Sequence, residues 1–236
     1  MLDYPGMEER ARLADLVLDA RWRTVALLER PADAATDAQE YAAALLPGAG
    51  PVEDVAAVVS FCMATPIAQV VAARVSHAQA RPVPLVAVDG APCPDVAVQR
   101  AFAGLAERYG ASPDGIDVTG DGLRAEPQQV LDRMADRLSE AATATLLAEV
   151  GDLEVARTVS AELVSGAVDW LRHLVAAHNA DYPAWGGELT LVNSTDALVW
   201  EAWPGARSTT VVTAGCGRTE VLAHPRVAEA VHRAAG

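Results

Sequence analysis

The three cysteines of this chain, Cys62, Cys93 and Cys216, are the residues best suited to covalent chemistry. Cys62 stands between an apolar, β-branched segment, VAAVVSF (55–61), and an amphipathic segment that begins at Met63. A strand that turns directly into a helix presents the residue at the turn, and the helix N-terminus favours negative charge there. The pattern therefore indicates a nucleophilic thiolate. The alternative is a small buried residue at a tight turn, because cysteine is among the most often buried residue types.

The residues around Cys62 resemble a nucleophile elbow, a sharp strand-to-helix turn written G-x-S-x-G. Ser60 and Ala64 keep both flanking positions small, and Cys62 takes the position of the nucleophile. We expect the backbone N–H of Met63, together with one from the turn around Met7, to face the oxyanion of an acyl-transfer intermediate. The spacing thus predicts a site for acyl transfer.

An odd number of cysteines without paired C-x-x-C spacing predicts neither a disulfide framework nor a metal site. The cysteines do all fall near the ends of apolar segments, so a Cys62–Cys216 disulfide or a thiolate-bound metal is an alternative to chance placement. Unpaired cysteines are typical of a reducing compartment, and the first residues do not show the pattern of a secretory signal. We expect a cytoplasmic protein.

The charge of the chain excludes several classes of function. The formal net charge is −14 and the pI is about 4.7, which argues against nucleic acid or an anionic membrane as partner. All 18 basic residues are arginine, so a Schiff-base lysine and a P-loop lysine are both excluded. No apolar run approaches the length of a membrane-spanning helix.

The order of apolar segments predicts an α/β fold with a mainly parallel sheet and helices on both faces. Helical patterns alternate with short strand-like runs, which is typical of such sheets. The predicted strands are 2–4, 24–29, 55–61, 83–89, 188–194 and 208–214, and the predicted helices outside residues 90–187 are 8–20, 37–46, 63–78 and 225–235.

Residues 90–187 interrupt this alternation with three helical patterns, at 96–109, 127–149 and 153–179. A helical insertion after a parallel strand lies at the edge where ligands bind such sheets, so it is predicted to be a lid. A helical subdomain that only packs there is the alternative. We interpret the chain as one domain, 1–236, that contains this insertion.

Six segments, read in order, resemble a known family. They are LDYPGMEERARLADLV, TVALLERP, DAQEYAAALLPGAGPVEDVAAVVSFCMATPIAQVVAARV, PLVAVDGAPCP, GELTLVNSTDALVWEAWPG and TVVTAGCGRTEVLAHPRVAEAVHRAAG. Together they resemble the α/β-hydrolase thioesterases of nonribosomal peptide and polyketide synthesis, in stand-alone or chain-terminating form. The resemblance implies an α/β-hydrolase fold.

The resemblance also assigns roles to single residues. Cys62 falls at the nucleophile position and Asp89 at the position of the catalytic acid. Asp196 is the alternative residue for the catalytic acid. A carboxylate that caps the turn after a strand is the alternative for Asp89. Where the family has G-D-H-F, this chain has Gly215-Cys216-Gly217-Arg218, so the histidine base is missing.

Substitutes for the missing base are few. His224 could reach the site if its loop folds back, although it could instead cap a helix, and His173 and His178 could project from the predicted lid helix. Cys216 and Asp196 are further possible site residues. For the histidines other than His224, that is His77, His173, His178 and His232, an exposed or capping position is nonetheless expected.

By resemblance, the protein is an enzyme that takes an acyl group from the phosphopantetheine of an acyl or peptidyl carrier protein onto Cys62. It then passes this small-molecule acyl substrate to an amine, a hydroxyl, a thiol or water, as in antibiotic biosynthesis, and needs no cofactor of its own. Trp170 and Trp185 would line the acyl chamber unless they are core residues. Two alternatives remain: a non-catalytic protein that binds a carrier or an acyl chain, and a non-acyl reaction on the same scaffold.

Overall fold

The described part of the chain is built around a four-stranded parallel sheet. The computed structural model of the chain describes residues 13, 16, 18, 22–27, 35–49 and 54–236. Every neighbouring pair of strands is parallel, and the order in the sheet follows the order in the sequence. The strands are β1 Val58–Phe61, β2 Leu85–Val88, β3 Glu188–Asn193 and β4 Ser208–Thr213.

The sheet is covered on both faces, as the continuous apolar strands require. All four residues of β2 are buried, and their side chains alternate between two apolar cores. Leu85 and Ala87 belong to the larger core, whereas Val86 and Val88 belong to the smaller one. This confirms the prediction of a parallel α/β fold with helices on both faces.

Seven α-helices lie within the described residues, and six of them match predicted ones to within two residues at each end. Their ends carry recognisable signals: Asp37 caps the first helix, and Pro225 opens the last one. The helices are α1 Ala38–Leu45, α2 Thr65–Gln79, α3 Asp95–Tyr109, α4 Gly120–Ala125, α5 Pro127–Val150, α6 Leu153–His178 and α7 Pro225–Ala235.

One helix was not predicted, and one local prediction was wrong. Helix α4 begins at Gly120, between the predicted helices 96–109 and 127–149. Of the predicted strand 24–29, the structure describes 24–27, and these residues are not in a strand. A cavity of about 550 Å³ is lined both by this segment and by residues 54–59. Strand 2–4 and most of helix 8–20 lie outside the described residues.

Helices α3 to α6 all lie between β2 and β3. Among them α6 contacts α2, α3 and the 3-10 turn Cys62–Ala64, so the insertion reaches the carboxyl end of β1. Within the described parts of the chain, we find no helix with both the length and the apolarity that a membrane span needs.

Candidate active site

The backbone at Cys62 has the geometry of a nucleophile elbow. Strand β1 ends at Phe61, a 3-10 turn covers Cys62–Ala64, and α2 begins at Thr65. Cys62 has a φ of 54°, a left-handed conformation that costs a residue other than glycine about 1–3 kcal/mol. Strain of this kind is concentrated at functional sites, where the surrounding structure maintains it. The sharp turn predicted from the sequence is present.

Small and hydroxyl-bearing residues hold this turn. The Thr65 hydroxyl donates to the carbonyl of Cys62 at 2.8 Å, and its oxygen lies 3.1 Å from the buried hydroxyl of Ser60. Gly90 packs against the same group, because a Cβ on Gly90 would lie 2.9 Å from the Thr65 Oγ1. The turn therefore depends on close approach between the start of α2 and the end of β2.

A guanidinium group contacts the sulfur of Cys62. The Nη2 of Arg218 donates to Cys62 Sγ at 2.7 Å, and the same guanidinium lies 5.4 Å from the centre of the Phe61 ring. A cationic donor interacts more strongly with a thiolate than with a neutral thiol. Arginine has no lone pair with which to accept a proton, so it cannot act as a base. The contact therefore places a cationic hydrogen-bond donor on the sulfur without supplying acid–base chemistry.

Asp89 lies at the neighbouring strand end, but its carboxylate is already engaged. In the sheet Phe61 pairs with Val88, so the next residues, Cys62 and Asp89, lie side by side at the carboxyl edge. Asp89 is 3% exposed and also has a left-handed backbone, with a φ of 48°. Its two oxygens accept from the Ser194 N–H at 2.7 Å and the Ser194 hydroxyl at 2.9 Å. The carboxylate thus holds the start of the loop after β3.

The loops after β3 and β4 are joined by backbone hydrogen bonds. The carbonyl of Cys216 accepts from the Thr195 N–H at 2.9 Å and from the Thr195 hydroxyl at 3.2 Å. Asp196 is exposed, and a Cβ on Gly217 would lie 3.7 Å from its Oδ2. The pKa of the Cys216 thiol is raised by burial and by nearby negative charge. These contacts place Cys216 and Asp196 in one loop cluster.

Asn193 is a polar residue that sequence reasoning missed. It is the last residue of β3, pairs with Thr213 and is 2% exposed. Neither polar atom of its side chain has a hydrogen-bond partner within the part of the chain that the structure describes. The signal in the sequence that could have found it is a polar residue at the end of an apolar strand.

Three of the five histidines are engaged in other contacts. His224 caps α7, because its Nδ1 accepts from the Arg226 N–H at 3.3 Å, so the lone pair that a base would use is occupied. His178 lies at the end of α6, with Nδ1 3.0 Å from the Cys93 carbonyl. The expectation for His173 was wrong: it is fully buried and stacked on Trp170, and burial lowers its pKa to about 3.

The remaining predicted residues are placed as follows. All three cysteines lie in the described residues and are free thiols, so the Cys62–Cys216 disulfide is absent. Burial raises the pKa of Cys93 to about 12, and the charge of Cys62 adds to this. Met63 follows Cys62 in the 3-10 turn, whereas Met7 lies outside the described residues.

Trp185 is a core residue, 7% exposed, whose indole N–H donates to the Val83 carbonyl at 2.9 Å. Over the described ranges we find no group of three or more histidine, cysteine or acidic residues arranged to hold a metal ion.

Comparison with known proteins gives remote similarities. No family model and no curated protein matches the chain. Among solved structures it is similar to the Vlm2 thioesterase domain bound with a dodecadepsipeptide (14% identity over 83% of this chain and 74% of that one, TM-score 0.44). It is also similar to AB3403, a four-domain nonribosomal peptide synthetase bound to AMP and glycine (17% identity, 86% of this chain, 16% of that one, TM-score 0.44). A third is a Pseudomonas aeruginosa protein described as an epoxide hydrolase (17% identity, 86% and 75%, TM-score 0.42).

Proposed function

We propose that this chain is a thioesterase-like enzyme of the α/β-hydrolase type, which takes an acyl group from a carrier-protein thioester onto Cys62. One observation carries the proposal. Cys62 lies on a left-handed strand-to-helix turn, and the Arg218 guanidinium donates to its sulfur at 2.7 Å. A thiolate held by a fixed cation is a nucleophile that needs no base to remove its proton.

In the first half of the reaction, the Cys62 thiolate attacks the carbonyl carbon of the acyl-phosphopantetheine thioester. The new C–S bond gives a tetrahedral oxyanion. In this proposal the backbone N–H of Met63, the residue after Cys62, donates a hydrogen bond to that oxyanion. The bond from carbon to the carrier sulfur then breaks, the carrier thiolate leaves, and the acyl group remains on Cys62 as a thioester. The predicted contribution of Met7 to the oxyanion site stays a prediction.

In the second half, an acceptor attacks the acyl-Cys62 thioester and releases the Cys62 thiolate, while the acceptor loses its proton to solvent. Because Arg218 cannot take that proton, the site favours acceptors that are themselves good nucleophiles, such as a thiol or an amine. Water needs more help from a base than either of these. We therefore propose transfer or cyclisation rather than hydrolysis, in a natural-product pathway of the cytoplasm.

We propose that the insertion between β2 and β3 forms the walls of this site. Its long helix α6 contacts the turn that contains Cys62. Half-buried Trp170 belongs to α6 and packs against the larger core. An acyl group attached to Cys62 would therefore meet α6 first, and residues 90–187 would act as its lid.

A binding role without catalysis is the second candidate. It is favoured by the carboxylate of Asp89, because both of its oxygens accept hydrogen bonds from Ser194. In this role the elbow would hold an acyl chain or a carrier arm without forming a bond.

Intact-protein mass measurement after incubation with acyl-phosphopantetheine thioesters tests the proposal. We expect a mass increase equal to the acyl group in the wild type and in Cys93→Ala, but not in Cys62→Ala. Cys93→Ala is the matched control because its thiol is buried and protonated. No adduct from aminoacyl, short-chain, long-chain and peptidyl donors would contradict covalent catalysis. Carrier affinity that is unchanged in Cys62→Ala would then support the binding role.

A further inference from the structure

We propose that Ser194 and Thr195 are positioning residues that hold Arg218 against the sulfur of Cys62. Asp89 anchors this pair and so acts on the thiol through the two loops. The inference deepens the proposed function, because it names what sets the reactivity of the proposed nucleophile. It concerns the state of the thiol before any substrate binds.

The first link is the bond between Asp89 and Ser194. Asp89 belongs to the turn that directly follows β2, and its buried carboxylate accepts two hydrogen bonds from the same residue. Hydrogen bonds to a charged acceptor are about twice as strong as those between neutral groups. Two of them fix both the backbone and the side chain of Ser194, which is itself 3% exposed.

The second link joins the loop after β3 to the loop after β4. Thr195 follows Ser194 directly, and both its N–H and its hydroxyl donate to the carbonyl of Cys216. One step earlier, the Ala214 N–H donates to the Asn193 carbonyl at 2.8 Å, so the two loops remain paired beyond the strands. Gly215 lies between these two bonds with a φ of 82°, which turns the chain.

The third link joins the loop after β4 to Cys62. Arg218 lies two residues beyond the carbonyl that Thr195 holds, and its guanidinium ends on Cys62 Sγ. Cys62 is fixed independently, through Thr65 and the start of α2. An arginine side chain loses much rotamer freedom when it holds one position, so the contact depends on where its backbone is anchored. The pairing of Thr195 with Cys216 supplies that anchor.

The rate of Cys62 alkylation by iodoacetamide at pH 7, located by peptide mass mapping, tests this inference. Ser194→Ala removes the hydroxyl bond to Asp89, and Thr195→Val removes the hydroxyl bond to Cys216. We expect each substitution to slow alkylation by about two- to fivefold, less than the loss of Arg218 itself, because the backbone hydrogen bond of the same residue remains. Ser194→Thr, which keeps the hydroxyl, should restore the wild-type rate. Thr219→Val, at an exposed threonine of the same loop, is the control and should not change it.

A double-mutant cycle separates positioning from a general loss of structure. In an Arg218→Met background, Ser194→Ala should have no further effect on the rate, because the group that it positions is gone. An unchanged rate in both single variants, or an equal additional loss in the Arg218→Met background, would overturn the inference. Alkylation does not depend on acyl donors, so failure of the acyl-transfer proposal would leave this result interpretable.

Discussion

Replacement of Arg218 is the most direct perturbation of the site. Arg218→Met removes the charge and keeps a side chain of similar length, whereas Arg218→Lys keeps the charge without the planar fork. At the observed 2.7 Å between Nη2 and Sγ, two unit charges attract by about 1.5 kcal/mol at the dielectric constant of water, and by more as water is excluded. Both residues are partly exposed, so we take the lower figure. A loss of about 1.4 kcal/mol corresponds to a tenfold effect.

We therefore expect Arg218→Met to slow iodoacetamide alkylation of Cys62 at pH 7 by about tenfold, and Arg218→Lys to slow it less. The measurement is a pseudo-first-order time course with quantitative peptide mapping, at 0.05 M and at 1 M salt. Screening should reduce the difference between wild type and Arg218→Met at the higher salt. Equal rates in the wild type and Arg218→Met at low salt would refute the view that the guanidinium acts on the sulfur.

Four other changes test parts of the structure. In the folded protein, burial lowers the pKa of His173 to about 3 and the side chain stays neutral. Between pH 6.5 and 3, therefore, only the unfolded chain binds a proton at His173. Urea titrations should show the free energy of unfolding falling by up to about 5 kcal/mol across that pH range. The fall should be smaller in His173→Phe. Cys93 has its pKa raised to about 12, so stability should fall as the pH rises from 9 to 12, and Cys93→Ala should flatten that decline. Gly90→Ala places a Cβ 2.8 Å from that of Ala87, and we expect thermal unfolding to show a loss of about 1–3 kcal/mol. Asn193→Leu removes two buried polar atoms without partners in the described structure; we expect a gain of about 1–3 kcal/mol in the same assay, and a loss would reveal a partner.

The sequence predicts those elements whose signals are local. Pro225 and the amphipathic pattern after it predict the limits of α7 without error, and the apolar segment before Cys62 predicts both β1 and the sharp turn. The segment 24–29 has the composition of a strand, but whether it pairs depends on space beside β1 that composition does not determine. Local pattern therefore accounts for six of the seven described helices, the four strands and the elbow.

The partners of the site residues could not be predicted, because they come from separate loops. The sequence shows that histidine is missing from 215–218, and it leaves open what completes the site. The hydrogen bond from Arg218 to Cys62 spans 156 positions and depends on how the loop after β4 is held. The bond from Ser194 to Asp89 spans 105 positions in the same way. Met7 and the lid role of residues 90–187 stay predictions.

The left-handed residues at the ends of β1 and β2 have a consequence for engineering. At about 1–3 kcal/mol each, Cys62 and Asp89 together cost about 2–6 kcal/mol, against a typical folding free energy of about 5–15 kcal/mol. Glycine relieves such strain, so a selection for thermal stability alone would favour glycine at Cys62, whereas glycine at Asp89 would also remove both hydrogen bonds to Ser194. Such a selection would thereby remove the sulfur of the proposed nucleophile. Libraries for a more stable variant should keep both residues fixed and seek stability in the helices far from this edge.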